Sequence, residues 1–437
     1  MNYALMNCAL WDNPDSFWLA EEYTPNSPLT GQVQADVAII GGGITGLSSA
    51  YHLKRRYPEK HIVLIEGQAV GFGASGRNSG FISQEYHGWY ERFERQGAAS
   101  VEPYTRYAER GYQLLVQTIK EQAIACDLQE SGALLLAKNA TEARSLEKHA
   151  QAYHQLGRPV HLWEGAKLAA RIKTPFYAAG LLLPHWSLLH PGRLMRGLKT
   201  MVERLGVVVY ERTPVQQIHQ KKTVELECEC GQVKAATVIL ATNAYTPQLG
   251  FLKSTLIPIH LFVVVTQPLE TAEVEQGGWS TVPGRFELDR THTVRLTPDG
   301  RLLIRGGARY YYDNGVGYRQ APHAYQSLCQ RLLLRYPRLK EVRNVYAWSG
   351  VMALTRAFTP MLGRMGKEGN ILCCVGYNGF GLVNGFYGGK LLGDLYAGEP
   401  HEDLQLMSSP HRAGRFLPEP LRYIHMNAHL SVRGFRL

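Results

Sequence analysis

Residues Val33-Gln-Ala-Asp-Val-Ala-Ile-Ile-Gly-Gly-Gly-Ile-Thr-Gly46 decide the fold of this chain. The first eight form an apolar run that predicts a strand, and a helical pattern follows the last glycine. His61-Ile-Val-Leu-Ile-Glu66 predicts the next strand. Strand, glycine-rich turn, helix and strand together indicate one βαβ unit with parallel strands.

Each part of this pattern has a physical role in binding a dinucleotide. Gly41 permits the tight turn, Gly43 lets the backbone reach a pyrophosphate, and Gly46 allows close helix packing. Glu66, at the end of the next strand, is placed to accept hydrogen bonds from ribose hydroxyls. The pyrophosphate would lie at the helix N-terminus, where unpaired amides and the helix dipole favour an anion. This unit alone does not separate NAD from FAD.

The length and composition are those of a globular protein with two domains. The chain has 437 residues, of which 45% are hydrophobic and 19% charged, and single cores stop growing near ~250 to 300 residues. Its seven cysteines have no CxxC spacing, which argues against a disulfide framework and a metal site. No apolar run reaches the ~18 residues of a membrane span, and the acidic Asp12, Asp15, Glu21 and Glu22 do not resemble a signal peptide. We therefore expect a cytoplasmic protein without a membrane partner.

The chain has an excess of basic residues. Its net charge of +10 fits an RNA partner, an anionic membrane surface or an acidic cofactor, and the charge alone does not choose among them. The nearest approach to a basic patch is in the tail, at Arg412, Arg415, Arg422, Arg433 and Arg436. We expect this tail to be solvated or loosely docked, and we expect no DNA partner.

A second glycine-rich loop follows the second predicted strand. Gly73-Ala-Ser-Gly-Arg-Asn-Ser-Gly-Phe81 offers backbone amides and side-chain donors to phosphate and to ring carbonyls. With the βαβ unit before it, this loop resembles the D-amino-acid-oxidase-type flavoproteins, which include glycine oxidase, sarcosine oxidase and gamma-glutamylputrescine oxidase. The resemblance implies that the cofactor is FAD.

Later segments resemble the same family in the same order, from about residue 12 to residue 400, and are most similar to its gamma-glutamylputrescine oxidase branch. They are Ser16-Phe-Trp-Leu19, Leu189-His-Pro-Gly-Arg-Leu194, Ala241-Thr-Asn-Ala-Tyr245, the hairpin from Arg295 to Tyr310, and Gly376-Tyr-Asn-Gly-Phe-Gly381.

The resemblance and the strand patterns predict a Rossmann-like α/β FAD-binding domain of the GR2 type, interleaved with an α+β substrate domain that contains an antiparallel sheet. The two domains are interleaved because no low-complexity linker separates them. The predicted FAD-binding domain comprises residues 30–125, 186–255 and 345–400, the substrate domain comprises residues 126–185 and 256–344, and residues 401–437 form the basic tail.

The residues expected to bind FAD lie in the two glycine-rich loops, at two later strand ends and in the last loop. They are Gly41, Gly43, Ile44, Thr45, Gly46, Glu66, Gly73, Ala74, Ser75, Gly76, Arg77, Asn78, Ser79, Gly80, Val215, Ala241, Thr242, Gly350, Gly376, Asn378, Gly379, Phe380 and Gly381. Val215 sits where the family places backbone against adenine. Cys373 and Cys374 are candidates for covalent flavin attachment because they precede the last loop.

The substrate residues follow from a departure from the family pattern. Members that bind an amino-acid carboxylate commonly have an arginine after a Trp-x-Gly, whereas this chain has Met352 at or near that place. A bidentate guanidinium clamp is therefore not expected there, which favours an amine or an amino acid held elsewhere. The candidate substrate residues are Met352, Tyr310, Arg356, Tyr377 and His190, with Arg305 and Arg309 as further carboxylate contacts.

The resemblance implies oxidation of an amine or amino acid by hydride transfer from the carbon bearing nitrogen to flavin N5. It implies no obligate catalytic acid or base, and Arg309 is the candidate for oxygen activation. The reduced flavin would pass its electrons to O2, giving H2O2, or to another acceptor. Three alternatives stay open: a tRNA-modifying flavoprotein acting on an aminomethyl uridine, a D-amino-acid dehydrogenase, and a flavoprotein without turnover.

Overall fold

The computed structural model describes residues 16–86, 88–279, 286–289, 291–317 and 321–435. Asp12, Asp15 and Arg436 lie outside these residues. No helix in the described ranges has the length and apolarity needed to cross a membrane. The helices are α1 Ile44–Arg56, α2 Trp89–Gln96, α3 Ala98–Glu121, α4 Ala140–Gln155, α5 Gly165–Ala169, α6 Pro191–Arg204, α7 Thr271–Gln276, α8 Pro322–Arg335, α9 Gly381–Ala397 and α10 Leu421–Val432.

Two large sheets and one two-stranded sheet contain the strands. The strands are β1 Gly31–Ile40, β2 Ile62–Ile65, β3 Phe81–Ser83, β4 Ala133–Ala137, β5 His161–Glu164, β6 Ala179–Leu183, β7 Trp186–Leu188, β8 Val208–Tyr210, β9 Val215–His219, β10 Val224–Cys228, β11 Gly231–Leu240, β12 Leu256–Pro268, β13 Phe286–Leu288, β14 Thr293–Leu296, β15 Arg301–Arg309, β16 Asn344–Thr355, β17 Met361–Met365 and β18 Ile371–Val375.

The first sheet has the strand order β17-β18-β11-β1-β2-β8, and β10 and β9 extend from β11. β1 pairs in parallel with both β11 and β2. All four residues of β2 are buried, as is typical of a parallel strand that is covered on both faces. The predicted βαβ unit and the α/β fold class are confirmed.

The second sheet has the order β16-β12-β15-β14-β13-β4-β6-β5. Its neighbours are antiparallel except for β13 beside β4, so the predicted antiparallel sheet is present. β16 pairs with β12 over most of its length. Residues 344–355 therefore belong to this sheet, although the predicted boundary put residues 345–400 in the FAD-binding domain. The division into domains stays a prediction.

Helices α1 and α9 contact each other through glycines. A Cβ atom built on Gly385 would lie 2.6 Å from Cγ2 of Ile44, and one built on Gly389 would lie 2.5 Å from Cβ of Ser48. The Ser48 hydroxyl also donates a hydrogen bond to the carbonyl of Phe386 across this contact. Because separations this short leave no room for a side chain, the glycines set the distance between the helices.

The C-terminal segment, defined as residues 411–435, is docked on the second sheet. Met426 and Leu430 of α10 are buried against apolar residues of β12, β15 and β16. Arg422 is only 8% exposed and donates hydrogen bonds to the carbonyl of Lys253 and to Oδ1 of Asn314. The expectation of a solvated or loosely docked tail was therefore wrong for this segment, because one face of α10 is apolar and meets a sheet.

The glycine contact between α1 and α9 can be tested by stability. We expect Gly389→Ala to lower the free energy of unfolding relative to Gly393→Ala by about 1 to 3 kcal/mol, because the added carbon overpacks the interface. Gly393 is the matched control, since a Cβ there would lie 3.7 Å from the nearest side-chain atom and both variants gain the same helix propensity. Chemical denaturation measures the difference, and equal stabilities would contradict the assignment.

Candidate cofactor and substrate site

A cavity of about 1370 Å³ lies between the two large sheets. One end is lined by the turn after β1, the end of β2 and residues 213–215. The other end is lined by β16, by the last loop at residues 377–381, and by residues of β12 and β15. The cavity therefore meets the carboxyl ends of the parallel strands, where open α/β sheets commonly bind ligands.

The turn after β1 has the geometry that an anion requires. Gly41 has a φ of 109°, and a Cβ there would lie 2.8 Å from the carbonyl oxygen of Ala241. Gly43 is the N-cap of α1 and offers no side-chain cap. The amide of Ile44 donates to Oγ of Ser75 at 3.0 Å, and the first turn of α1 holds no acidic residue. A pyrophosphate would meet helix amides here, and no acidic side chain of the first turn of α1 would repel it.

Glu66 lies at the end of β2 and lines the cavity. Its carboxylate accepts hydrogen bonds from the amide of Gly42 at 2.7 Å and from the amide of Gln68 at 2.9 Å. Burial raises the pKa of this carboxyl above its ordinary value. The two backbone donors fix the carboxylate beside the turn, in the position expected of an acceptor for ribose hydroxyls.

The second glycine-rich loop is held in shape by its own polar groups. Asn78 donates to the carbonyls of Ala74 and Ser75 at 3.0 and 2.8 Å, and its Oδ1 accepts from the amide of Gly80 at 2.7 Å. Arg295 of β14 is fully buried and donates to the carbonyl of Ser79 at 2.8 Å. The second sheet therefore positions a loop that belongs to the first part of the chain.

The last loop is attached to both β16 and α1. Asn378 adopts a φ of 52°, and its Oδ1 accepts from the amide of Thr355 at 2.9 Å. The Tyr377 hydroxyl donates to the carbonyl of Cys374 at 2.7 Å, and the Thr45 hydroxyl lies 2.7 Å from the Tyr377 hydroxyl. These contacts fix the position of the loop that closes the cavity.

Most of the predicted cofactor residues line this one cavity. They are Gly41, Gly43, Ile44, Thr45, Glu66, Gly73, Ala74, Ser75, Arg77, Asn78, Ser79, Val215, Ala241, Thr242, Gly350, Asn378, Gly379, Phe380 and Gly381.

Four predicted cofactor residues do not line the cavity, and each serves backbone packing instead. A Cβ on Gly46 would lie 1.9 Å from the carbonyl oxygen of Gly41, and one on Gly76 would lie 2.3 Å from that of Gly71. Gly80 and Gly376 adopt φ of 74° and 82°, a region that side chains disfavour. These glycines shape the loops, and the sequence pattern did not distinguish them from residues that face the cavity.

The candidate substrate residues divide into two groups. Met352, Arg356 and Tyr377 line the cavity. Tyr310 is fully buried outside it, and its hydroxyl donates to Glu419 at 2.5 Å. His190 caps α6 by accepting from the amide of Arg193 at 3.2 Å, and burial lowers its pKa to about 4. The structure therefore gives neither Tyr310 nor His190 access to a bound substrate.

A β-bulge decides which arginine of β15 faces the cavity. Val263 pairs with Arg305 and Leu261 with Ala308, and all four residues line the cavity. The register shifts between these pairs, at Gly307, whose φ is 64°. Regular alternation would put residues 305 and 309 on the same face, but the extra residue turns Arg309 away. Arg309 is exposed, lies over the ring of Tyr311 and does not line the cavity, so the structure does not support it as the candidate for oxygen activation.

Residues that the sequence analysis did not assign to the site also line the cavity. Phe81 stacks on Trp186 at 5.1 Å and meets Phe380 edge-on at 5.7 Å, forming an aromatic cluster in the wall. The C-terminal segment contributes residues from Arg415 to Phe435. The excess of arginine in the tail was visible in the sequence, but its docking depends on contacts with distant strands.

The chain matches one family model and several known proteins. The model described as DAO, FAD dependent oxidoreductase, matches residues 36–395. The chain is 29% identical over 403 residues to gamma-glutamylputrescine oxidoreductase of Escherichia coli K12, covering 90% of each chain. It is 27% identical over 383 residues to the probable oxidoreductase OrdL of Haemophilus influenzae, covering 85% of each. The crystal structure of glycine oxidase from Geobacillus kaustophilus superposes with a TM-score of 0.73 at 19% identity, covering 88% of this chain and 100% of that one.

The role of Glu66 in holding FAD can be measured directly. We expect Glu66→Ala to weaken FAD binding about tenfold to a hundredfold, because a charged hydrogen-bond acceptor contributes about 1.5 to 3 kcal/mol. Glu59→Ala, at an exposed position outside the cavity, is the matched control. The fluorescence of FAD released on dialysis reports the dissociation constant. If both variants retain FAD equally, Glu66 does not contribute to binding of the cofactor.

A second test asks whether FAD is attached covalently to the chain. Cys373 and Cys374 are buried, do not line the cavity, and their pKa values are raised by burial, to about 12 for Cys374. A protonated thiol without access to the flavin cannot form a thioether bond to it. We therefore expect acid precipitation to release all the flavin into the supernatant, for the natural chain and for Cys374→Ser alike. Flavin that stays with the natural precipitate but not with the variant would contradict this expectation.

Proposed function

Because the chain belongs to the DAO family of FAD-dependent oxidoreductases, we propose that it oxidises an amine or an amino acid at the carbon bearing nitrogen. When bound, FAD accepts the electron pair and hydrogen that leave this carbon. The observation that supports the proposal is one continuous cavity, lined both by a pyrophosphate-type turn with Glu66 and by apolar residues of the second sheet and the last loop.

The apolar part of the cavity wall suits the neutral form of an amine. Its walls include Met352, Leu261, Ala308 and Phe380, and such walls exclude water and disfavour an ammonium ion. Among the described residues, the carboxylates that line the cavity are Glu66, at the nucleotide end, and Glu91. We assign no side chain as catalytic base, and the pocket's contribution is to bind, orient and desolvate the amine.

Met352 supports an amine in preference to a simple α-amino acid. It lies on β16 beside the last loop, with its sulfur 3.8 Å from a Cβ built on Gly379. A thioether cannot form the two parallel hydrogen bonds by which an arginine holds a carboxylate. The name of the Escherichia coli relative points to N-acylated diamines, and we include these among the proposed substrates.

The product follows from this chemistry. Removing hydride from the carbon beside a neutral nitrogen, with loss of one proton, gives an imine. Water hydrolyses the imine to an aldehyde or a keto acid, and ammonia or an amine is released. The electrons then pass to O2, which becomes H2O2, or to another acceptor.

Anaerobic titration tests the proposal. We expect one class among primary amines, secondary amines, N-acylated diamines and amino acids to bleach the visible flavin bands of the purified protein. Admitting O2 to the reduced sample then distinguishes an oxidase, which recovers its colour and forms H2O2, from a dehydrogenase.

The control is the same protein reduced with dithionite. If dithionite bleaches the flavin and no amine or amino acid does, the proposed function is wrong. Retention of RNA that falls steeply with salt would then favour the tRNA-modifying alternative.

A further inference from the structure

We propose that the C-terminal segment forms a cationic outer wall of the cavity that recognises a carboxylate at the end of the substrate remote from the oxidised carbon. This inference rests on the proposed function. It names the polar group that the substrate must carry and the residues that select it. The segment lies beyond the residues that the family model matches, which end at residue 395.

The segment is anchored firmly enough to form a binding wall. Besides the apolar contacts of α10, the amide of Phe416 donates to the carbonyl of Ser254 at 2.7 Å. Arg422 and Tyr310 both bond to Asn314, at 3.0 and 3.2 Å, and Tyr310 also donates to Glu419. These bonds join the segment to β15 and to the loop before β12, so that the side chains facing the cavity have a fixed base.

Three basic side chains of α10 and its C-terminal end line the cavity, beside two apolar side chains of the same helix. His425 and His429 are four residues apart and therefore lie on one side of the helix, with their rings stacked 6.2 Å apart. Arg433 follows after another four residues, and all three line the cavity. Arg415, before the helix, also lines it.

Two arginines of the second sheet extend this basic surface. Arg356, at the end of β16, donates to the carbonyl of Arg415 at 3.0 Å. Arg305 is half-buried, with a hydrogen bond to Oγ1 of Thr293 at 3.3 Å, and burial lowers its pKa to about 10.

Hydrogen bonds hold Arg305 and Arg356, but neither contact supplies a counterion. In the part of the chain that the structure describes, Arg305, Arg356, Arg415 and Arg433 form no ion pair. The acids that line the cavity, Glu66 and Glu91, come from other elements. Arg356, Arg415 and Arg433 are exposed, so they line the cavity where it opens to solvent. Cations without counterions attract an anionic group there, and a carboxylate is the anion that an amine substrate most simply carries. The pyrophosphate would be bound elsewhere, at the N-terminus of α1.

Two matched substrates test the recognition. One is 1,4-diaminobutane acylated on one nitrogen with glutarate, which ends in a carboxylate, and the other is its terminal carboxamide. We expect kcat/KM to be at least about tenfold higher for the carboxylate substrate, because one charge-assisted contact contributes about a factor of ten in affinity. The difference should appear as a lower KM for the carboxylate substrate. Arg433→Glu and Arg415→Glu should remove this preference, by raising KM for the carboxylate substrate more than for the carboxamide.

Arg412→Glu is the control variant, because Arg412 is exposed in the same segment and does not line the cavity. It should keep the preference. If Arg433→Glu and Arg412→Glu behave alike, or if both substrates lose activity equally, the cationic wall is not a recognition site.

A binding measurement separates failure of this inference from failure of the proposed function. The monomethylamide of glutarate carries the carboxylate but no oxidisable amine, and calorimetry with the FAD-loaded protein measures its affinity without turnover. We expect Arg433→Glu to weaken it about tenfold and Arg412→Glu to leave it unchanged. Binding that depends on Arg433 without reduction by any amine would overturn the proposed function alone. Reduction by amines without such binding would overturn this inference alone.

Discussion

The structure depends on the close approach of backbone to backbone where β1 turns into α1. Gly46 packs against the carbonyl of Gly41, and Gly389 of α9 packs against Ser48 one turn further along α1. Because no Cβ fits at these contacts, the helix N-terminus is held directly at the end of the parallel strands. The amides of the first turn consequently face the cavity, and the anion-binding end of the site follows from this packing.

The opposite end of the cavity depends on contacts between segments far apart in sequence. Asn378 joins the last loop to β16, and Arg295 of β14 supports the carbonyl of Ser79 in the second glycine-rich loop. Both contacts are hydrogen bonds to backbone groups that would otherwise be buried without a partner. The second sheet therefore completes a site whose nucleotide end is built by the first.

Two parts of the cavity wall carry side chains of opposite charge. Glu66 and the turn before α1 line a part suited to ribose and pyrophosphate, whereas Arg305, Arg415 and Arg433 line the part formed by the second sheet and the C-terminal segment. The same cavity is also lined by apolar side chains, which favour a bound amine in its neutral form over an ammonium ion. The combination of acidic, apolar and basic groups in one cavity supports both the proposed reaction and the proposed carboxylate preference.

The sequence by itself determined the βαβ unit, the antiparallel sheet, the FAD-type loops and the acidic residue at the end of β2, because these depend on local periodicity and on glycines at fixed spacing. Only the tertiary structure decided which residues of β15 reach the substrate end. The bulge at Gly307 turns Arg305 toward the cavity and Arg309 away from it. The docking of α10 likewise depends on tertiary contacts, because its apolar face is a local pattern but the distant sheet that covers this face is not specified by it.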